Sequence, residues 1–125
     1  MDITPLVPAD RQVIESYGDG GFKVSGRRHR GSVLVFPEET LSWPVAAVDA
    51  VTLDSLRPVW DGARGVEVLL LGCGAAPALV APDLRAALRE RGVALEAMDS
   101  GAACRTYNIL LSEERQVAAA VIAVD

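Results

Sequence analysis

From residue 66 onward the apolar positions follow a repeating grammar. Val66-Glu67-Val68-Leu69-Leu70-Leu71 is a short, nearly continuous apolar run that stops at Gly72-Cys73-Gly74, the pattern of a strand buried on both faces. Pro82 suits the first position of a helix whose Leu84, Ala87 and Leu88 share one face and whose stop is Gly92. Val93 to Met98 predicts a second strand. Ala103, Tyr107, Leu110 and Leu111, spaced i, i+4, i+7 and i+8, predict a second long helix after it. Val117 to Val124 predicts a last apolar strand. Strand, helix, strand in one sheet implies a right-handed crossover between parallel strands.

Residues 12 to 37 read differently. Val13-Ile14, Phe22 with Val24, and Val33 with Val35 are separated by Gly18-Asp19-Gly20-Gly21 and by residues 26 to 31, which predicts an antiparallel meander. Arg27-Arg28-His29-Arg30 then reads as a solvated hairpin tip, where an acidic partner could dock. Val45 to Val51 predicts a further short strand, and Ser55 an N-cap with Pro58 in the first helical turn. The fold class is α/β: a single domain over residues 1–125, with an N-terminal antiparallel meander, a C-terminal βαβαβ part and a mixed sheet.

Composition narrows the function classes. Half of the 125 residues are hydrophobic and 23% are charged, which suits a chain that folds around its own core. The net charge of −5 repels polyanions, so no nucleic acid is expected as a partner. No apolar run reaches the length of a membrane span, and Met1-Asp2-Ile3-Thr4-Pro5 lacks the pattern of a secretory signal, so a cytoplasmic location is expected. Cys73 and Cys104 form no disulfide framework, and with His29 as the one histidine neither a metal site nor a cofactor is expected. Gly-x-Ser-x-Gly, His-Glu-x-x-His and phosphate-loop motifs are absent.

Candidate chemistry gathers at one edge. Parallel strands aim their C-terminal ends the same way, so Gly72, Cys73 and Gly74 should meet Asp99-Ser100-Gly101 where open α/β sheets bind ligands. The helix start there would suit a small anionic or carbonyl-bearing ligand, with Arg105 and Thr106 in its first turns. Asp99 or Ser100 could equally serve as an N-cap, and the glycines as a tight bend. Arg105 and Asn108 fall on the less apolar side of the helix, three residues apart, within reach of a common partner. Tyr107 belongs to the apolar stripe, its hydroxyl needing a partner at the core's edge. Cys104 beside Arg105 could be an activated thiol or an inert buried one, and converging turns would bring it toward Cys73. An exposed edge of the meander would offer a homodimer contact.

The stretch Met98-Asp99-Ser100-Gly101-Ala102-Ala103-Cys104-Arg105-Thr106-Tyr107-Asn108-Ile109-Leu110-Leu111-Ser112-Glu113-Glu114-Arg115 resembles the signature of a domain family of unknown function. Its eukaryotic relatives include the mitochondrial complex I assembly factor of the third type and an adipogenesis-associated Mth-type domain protein. The resemblance takes in Tyr17-Gly18 to Phe22, Gly31-Ser32-Val33-Leu34, Trp43 and Leu69-Leu70-Leu71-Gly72. Cys73 and Ser100 stand where the family pattern has Thr. The resemblance implies a compact three-layer domain with no established enzymatic activity. The leading expectation is a noncatalytic binding or assembly module presenting the Asp99 to Asn108 edge, with Trp43, to a protein or small ligand. An enzyme using Asp99 and Arg105, and a thiol switch at Cys104, are the alternatives.

Overall fold

The computed structural model describes residues 10–125. Among these residues, eight strands form two sheets. The first is a meander of β1 (Ile14–Gly18), β2 (Gly21–Val24) and β3 (Arg27–Arg30). The second holds β4 (Val33–Val35), β5 (Thr40–Ser42), β6 (Val68–Gly72), β7 (Ala94–Met98) and β8 (Val117–Val121) in the order β5-β4-β8-β6-β7. β6 runs parallel to β7 and β8, whereas β4 is antiparallel to β5 and β8, so the sheet is mixed. The helices are α1 (Arg57–Trp60), α2 (Pro82–Glu90) and α3 (Ser100–Ser112).

Alternation along the strands of the five-stranded sheet divides the interior in two. Leu34, Leu69, Leu71, Ala118 and Ala120 face a core shared with Trp43, Leu56, Val59 and Leu88. Val33, Val35, Leu70, Val117, Ala119 and Val121 face the opposite one, filled by Ile14, Phe22 and Val24 of the meander and by Ala103, Cys104, Tyr107 and Leu111 of α3. The result is three layers: α2 with the short helical turns, the sheet, then α3 with the meander.

Local chemistry explains the element ends. Asp19 and Gly20, with φ of 52° and 77°, form the two-residue left-handed turn between β1 and β2, and Ser25 and Gly26, at 45° and 83°, repeat it between β2 and β3. α2 ends in a Schellman motif, in which Gly92 N–H donates to Arg89 O at 3.0 Å and Val93 N–H to Leu88 O at 2.9 Å, with Gly92 at φ 80°. Asp99 caps α3 by accepting the Ala102 N–H at 2.8 Å.

Four expectations need correction. Arg27-Arg28-His29-Arg30 is a strand rather than a hairpin tip, because the Ser25-Gly26 turn delivers the backbone straight into pairing with β2. Val45 to Val51 is not a strand. Pro44 offers no N–H, and the chain instead makes a 3₁₀ turn at Val48–Ala50. Ser55 does not cap a helix. It pairs with Thr52 in a reciprocal box, Ser55 N–H donating to Thr52 Oγ1 at 3.0 Å and Thr52 N–H to Ser55 Oγ at 2.9 Å, ahead of a 3₁₀ turn and the four-residue α1. β8 ends at Val121 rather than Val124, whose carbonyl leaves the sheet to accept the Gly20 N–H at 2.8 Å.

Candidate functional site

The C-terminal ends of β6 and β7 are neighbours and are laced to α3. Cys73 N–H donates to Met98 O at 2.8 Å, and Ser100 N–H to Gly74 O at 2.8 Å. The fully buried Ser100 hydroxyl accepts the Gly74 N–H at 2.9 Å and donates to Ile122 O at 2.6 Å, so one side chain ties the end of β6, the start of α3 and the exit of β8. Gly72 is required by this approach, since a Cβ there would lie 2.8 Å from both Ser100 Cα and Val121 Cγ1.

Beside this knot lies an open cleft of about 680 Å³. Cys73, Gly74 and Asp99 line it, together with Tyr17 from β1, Ala46 to Val48 from the 3₁₀ segment, and Ile122 to Asp125. Gly101 makes room for Tyr17, whose hydroxyl would be 2.4 Å from a Cβ at that position. The cleft is flanked by the loop that follows Gly74, in which Ala75, Ala76 and Pro77 are exposed and Leu79 is 100% exposed.

The other candidates do not line this cleft. Asn108 is 3% exposed and lies on the buried side of α3, not on the side expected for it; its Nδ2 donates to Ile14 O at 2.8 Å and its Oδ1 accepts the Ile14 N–H at 3.1 Å. Arg105 donates to the Tyr17 hydroxyl at 3.4 Å, so both residues reach β1 but at different points. Tyr107 donates its hydroxyl to Gln12 O at 2.9 Å, the core-edge partner its place in the stripe demands, and burial pushes its phenol upward. Thr106 is half-buried. Trp43 is 3% exposed in the first core and donates its indole N–H to Ser55 O at 2.8 Å.

Cys104 is fully buried, and desolvation pushes its thiol up to about 12 despite the opposing pull of Arg105. An activated thiol is thereby corrected to an inert one, because losing the proton would place an anion in an apolar core. Cys73 packs against the first core and Cys104 sits within the second, on opposite faces of the sheet, and both are free. At the start of α3 the capping alternative is realised, the Asp99 carboxylate accepting the Ala102 N–H.

Among the described residues, no three His, Cys, Asp or Glu side chains gather as a metal would require, and no helix is long and apolar enough to cross a membrane. Tyr17, Ser100 and the Ala46 to Val48 wall were not singled out as site residues by spacing. Tyr17-Gly18 and Ser100 did lie within the family-like motifs, which is the signal that pointed to them.

Known proteins share this fold. A family model described as "Protein of unknown function (DUF498/DUF598)" matches residues 14–122. The chain is 34% identical over 114 residues to NADH dehydrogenase [ubiquinone] 1 alpha subcomplex assembly factor 3 of Xenopus tropicalis, covering 91% of this chain and 62% of that protein. The chain thus spans less than two thirds of that relative's length. A crystal structure described as an outer membrane protein from Bartonella henselae superposes with a TM-score of 0.85 at 34% identity, over 94% of this chain and 98% of that one. A solution structure from Bordetella pertussis, described as a Mth938-like domain, gives 0.78 at 30% identity, over 95% and 89%. With every described strand and helix inside the matched residues, the chain belongs to the DUF498/DUF598 family of proteins of unknown function.

Proposed function

We propose that this chain is a noncatalytic binding and assembly module, one domain acting in the cytoplasm, which receives part of a protein partner in the cleft beside Gly74 and Asp99. The observation that carries this reading is the pairing of that cleft with a wholly exposed Leu79 on an apolar loop. Isolated exposed side chains are ordinary, but here the loop that lends Ala75 to the cleft wall continues through exposed Ala76 and Pro77 to Leu79, which suits a surface awaiting a partner. Named relatives that assemble NADH dehydrogenase extend the proposal to a respiratory complex.

A small-molecule enzyme using Asp99 and Arg105 has less support. Asp99 lines the cleft but caps its own helix, and Arg105 is turned to Tyr17, so acid and cation hold different partners. The inert Cys104 leaves the thiol switch without its activated thiol.

The test is complementation. In the native host, deletion is expected to lower NADH:quinone oxidoreductase activity in membranes, and Leu79→Asp, expressed at wild-type level and with unchanged melting temperature, should fail to restore it. Full activity in the deletion removes the respiratory part. Full rescue by Leu79→Asp and by an Ala47→Arg companion removes the cleft as the docking site.

A further inference from the structure

β3 is bonded to β2 on one side and, among the described residues, to no strand on the other. The hairpin geometry fixes which backbone groups face outward. In an antiparallel ladder alternate residues turn both N–H and C=O toward their partner. Gly31 N–H donates to Gly20 O at 2.7 Å, which sets the phase: Arg27 and His29 bond inward to β2, and Arg28 and Arg30 present N–H and C=O to the free edge.

Side chains follow the same alternation. Phe22 and Val24 are buried, so His29 and Arg27, which pair with them, lie on the core-side face, and burial with Arg27 nearby holds the His29 imidazole below its ordinary range. Lys23, Arg28 and Arg30 share the opposite, solvent face, and all three are exposed. Arg28 crosses Gly21 to donate to Gly18 O at 3.0 Å and Asp19 O at 2.8 Å, keeping its charge on that face. On the core side the nearby carboxylates are Glu38 and Glu39, which line one shallow cleft with Arg27 and His29.

We infer that the free edge of β3 accepts an extended acidic segment of a partner protein as an added strand, with acidic side chains at alternate positions over Lys23, Arg28 and Arg30 and uncharged ones between them. Unpaired main-chain groups supply affinity, and the two-residue side-chain period supplies the pattern. On the core side Glu38 and Glu39, both ion-paired to Arg64, lie beside Arg27 and His29, so that face is of mixed charge while the solvent face offers cations. A second copy of this chain is disfavoured: antiparallel self-pairing through the outward groups of Arg28 and Arg30 would set Arg28 against Arg30 twice, and like charges directly opposite destabilise a sheet. Nucleic acid would meet the same cations but also the net charge of −5.

The experiment uses the full chain and a fluorescent ten-residue peptide of Glu alternating with Val and Thr, followed by anisotropy. Saturable binding is expected, weakened by about tenfold or more when the peptide is N-methylated at the pairing amides, at unchanged charge. Arg30→Glu, which removes no described side-chain contact, should weaken it similarly and leave the melting temperature unchanged. The inference is overturned by no binding of the alternating peptide, by equal binding of its N-methylated form, or by equal binding of an oligothymidylate of the same charge. A dimer that cross-links through Arg30→Cys at low protein concentration would also overturn it, assigning the edge to a second copy.

Discussion

The two sides of α3's surroundings use their residues in opposite ways. Toward the meander, the motif residues are spent on architecture: Asn108 closes two bonds on the backbone of Ile14, and Tyr107 holds Gln12, each across more than ninety positions of chain. Toward the cleft, most of the lining is alanine, glycine and aliphatic side chains, with Tyr17, Cys73, Asp99 and Asp125 the ones that carry chemistry. A segment can therefore look chemically specific because its polar groups must each find one buried partner, while the surface left for recognition is compositionally plain.

The strongest test of this contrast is Asn108→Leu. Two buried backbone groups of Ile14 would lose their partner, for a cost of roughly 2–5 kcal/mol in urea unfolding. A loss below about 1 kcal/mol would break the contrast, returning Asn108 to the candidate binding residues. Gly72→Ala should come next, at about 1–3 kcal/mol, because its methyl must displace Ser100 or Val121. Ser100→Ala should cost about 2 kcal/mol by stranding the Gly74 N–H and the Ile122 carbonyl.

The cysteines sharpen the comparison without touching the fold. Cys73 should react with a thiol reagent in the native protein, whereas Cys104 should react only on unfolding. The proton linkage has a definite sign. Because the folded thiol of Cys104 is pushed up to about 12, its stabilisation is complete below the unfolded value of about 8.5 and declines as pH rises between them. Tyr107, raised in the same direction by burial, adds to this alkaline loss. Unfolding midpoints measured from neutral to alkaline pH check it, and a flat profile would refute burial as the cause. The smallest effect is expected of Leu79→Asp, within about 0.5 kcal/mol, since that side chain touches solvent alone.

Legibility followed how local each determinant was. Strands β6 and β7, the Gly92 stop and the Asp99 cap were readable because a run of apolar residues, a glycine or a capping carboxylate declares itself within a few positions. β3 was hidden: four consecutive polar residues carry no alternation of hydrophobicity, and its strand character comes from the partner delivered by the Ser25-Gly26 turn. β5, three residues long at the sheet's edge, left no signal either. The convergence of Cys73-Gly74 with Asp99 followed from parallel topology. The inward turn of Asn108 and Trp43 did not, since their partners lie on other elements and helical spacing says nothing about which backbone groups need them.

The order β5-β4-β8-β6-β7 carries a consequence for how the protein is made. The central strand is also the last of the eight to leave the ribosome. A nascent chain extended to Ser112 holds β4 with β5 on one side and β6 with β7 on the other, and nothing yet to join them. Until Val117–Val121 emerges, Leu70 lacks one of its two strand neighbours, and the apolar faces of two half-sheets are open to water and to each other. Vectorial, segment-by-segment folding is thereby barred, and closure becomes a single late event with long loops to shut, slow on the scale of helical bundles. The chain thus spends its own synthesis as an exposed intermediate.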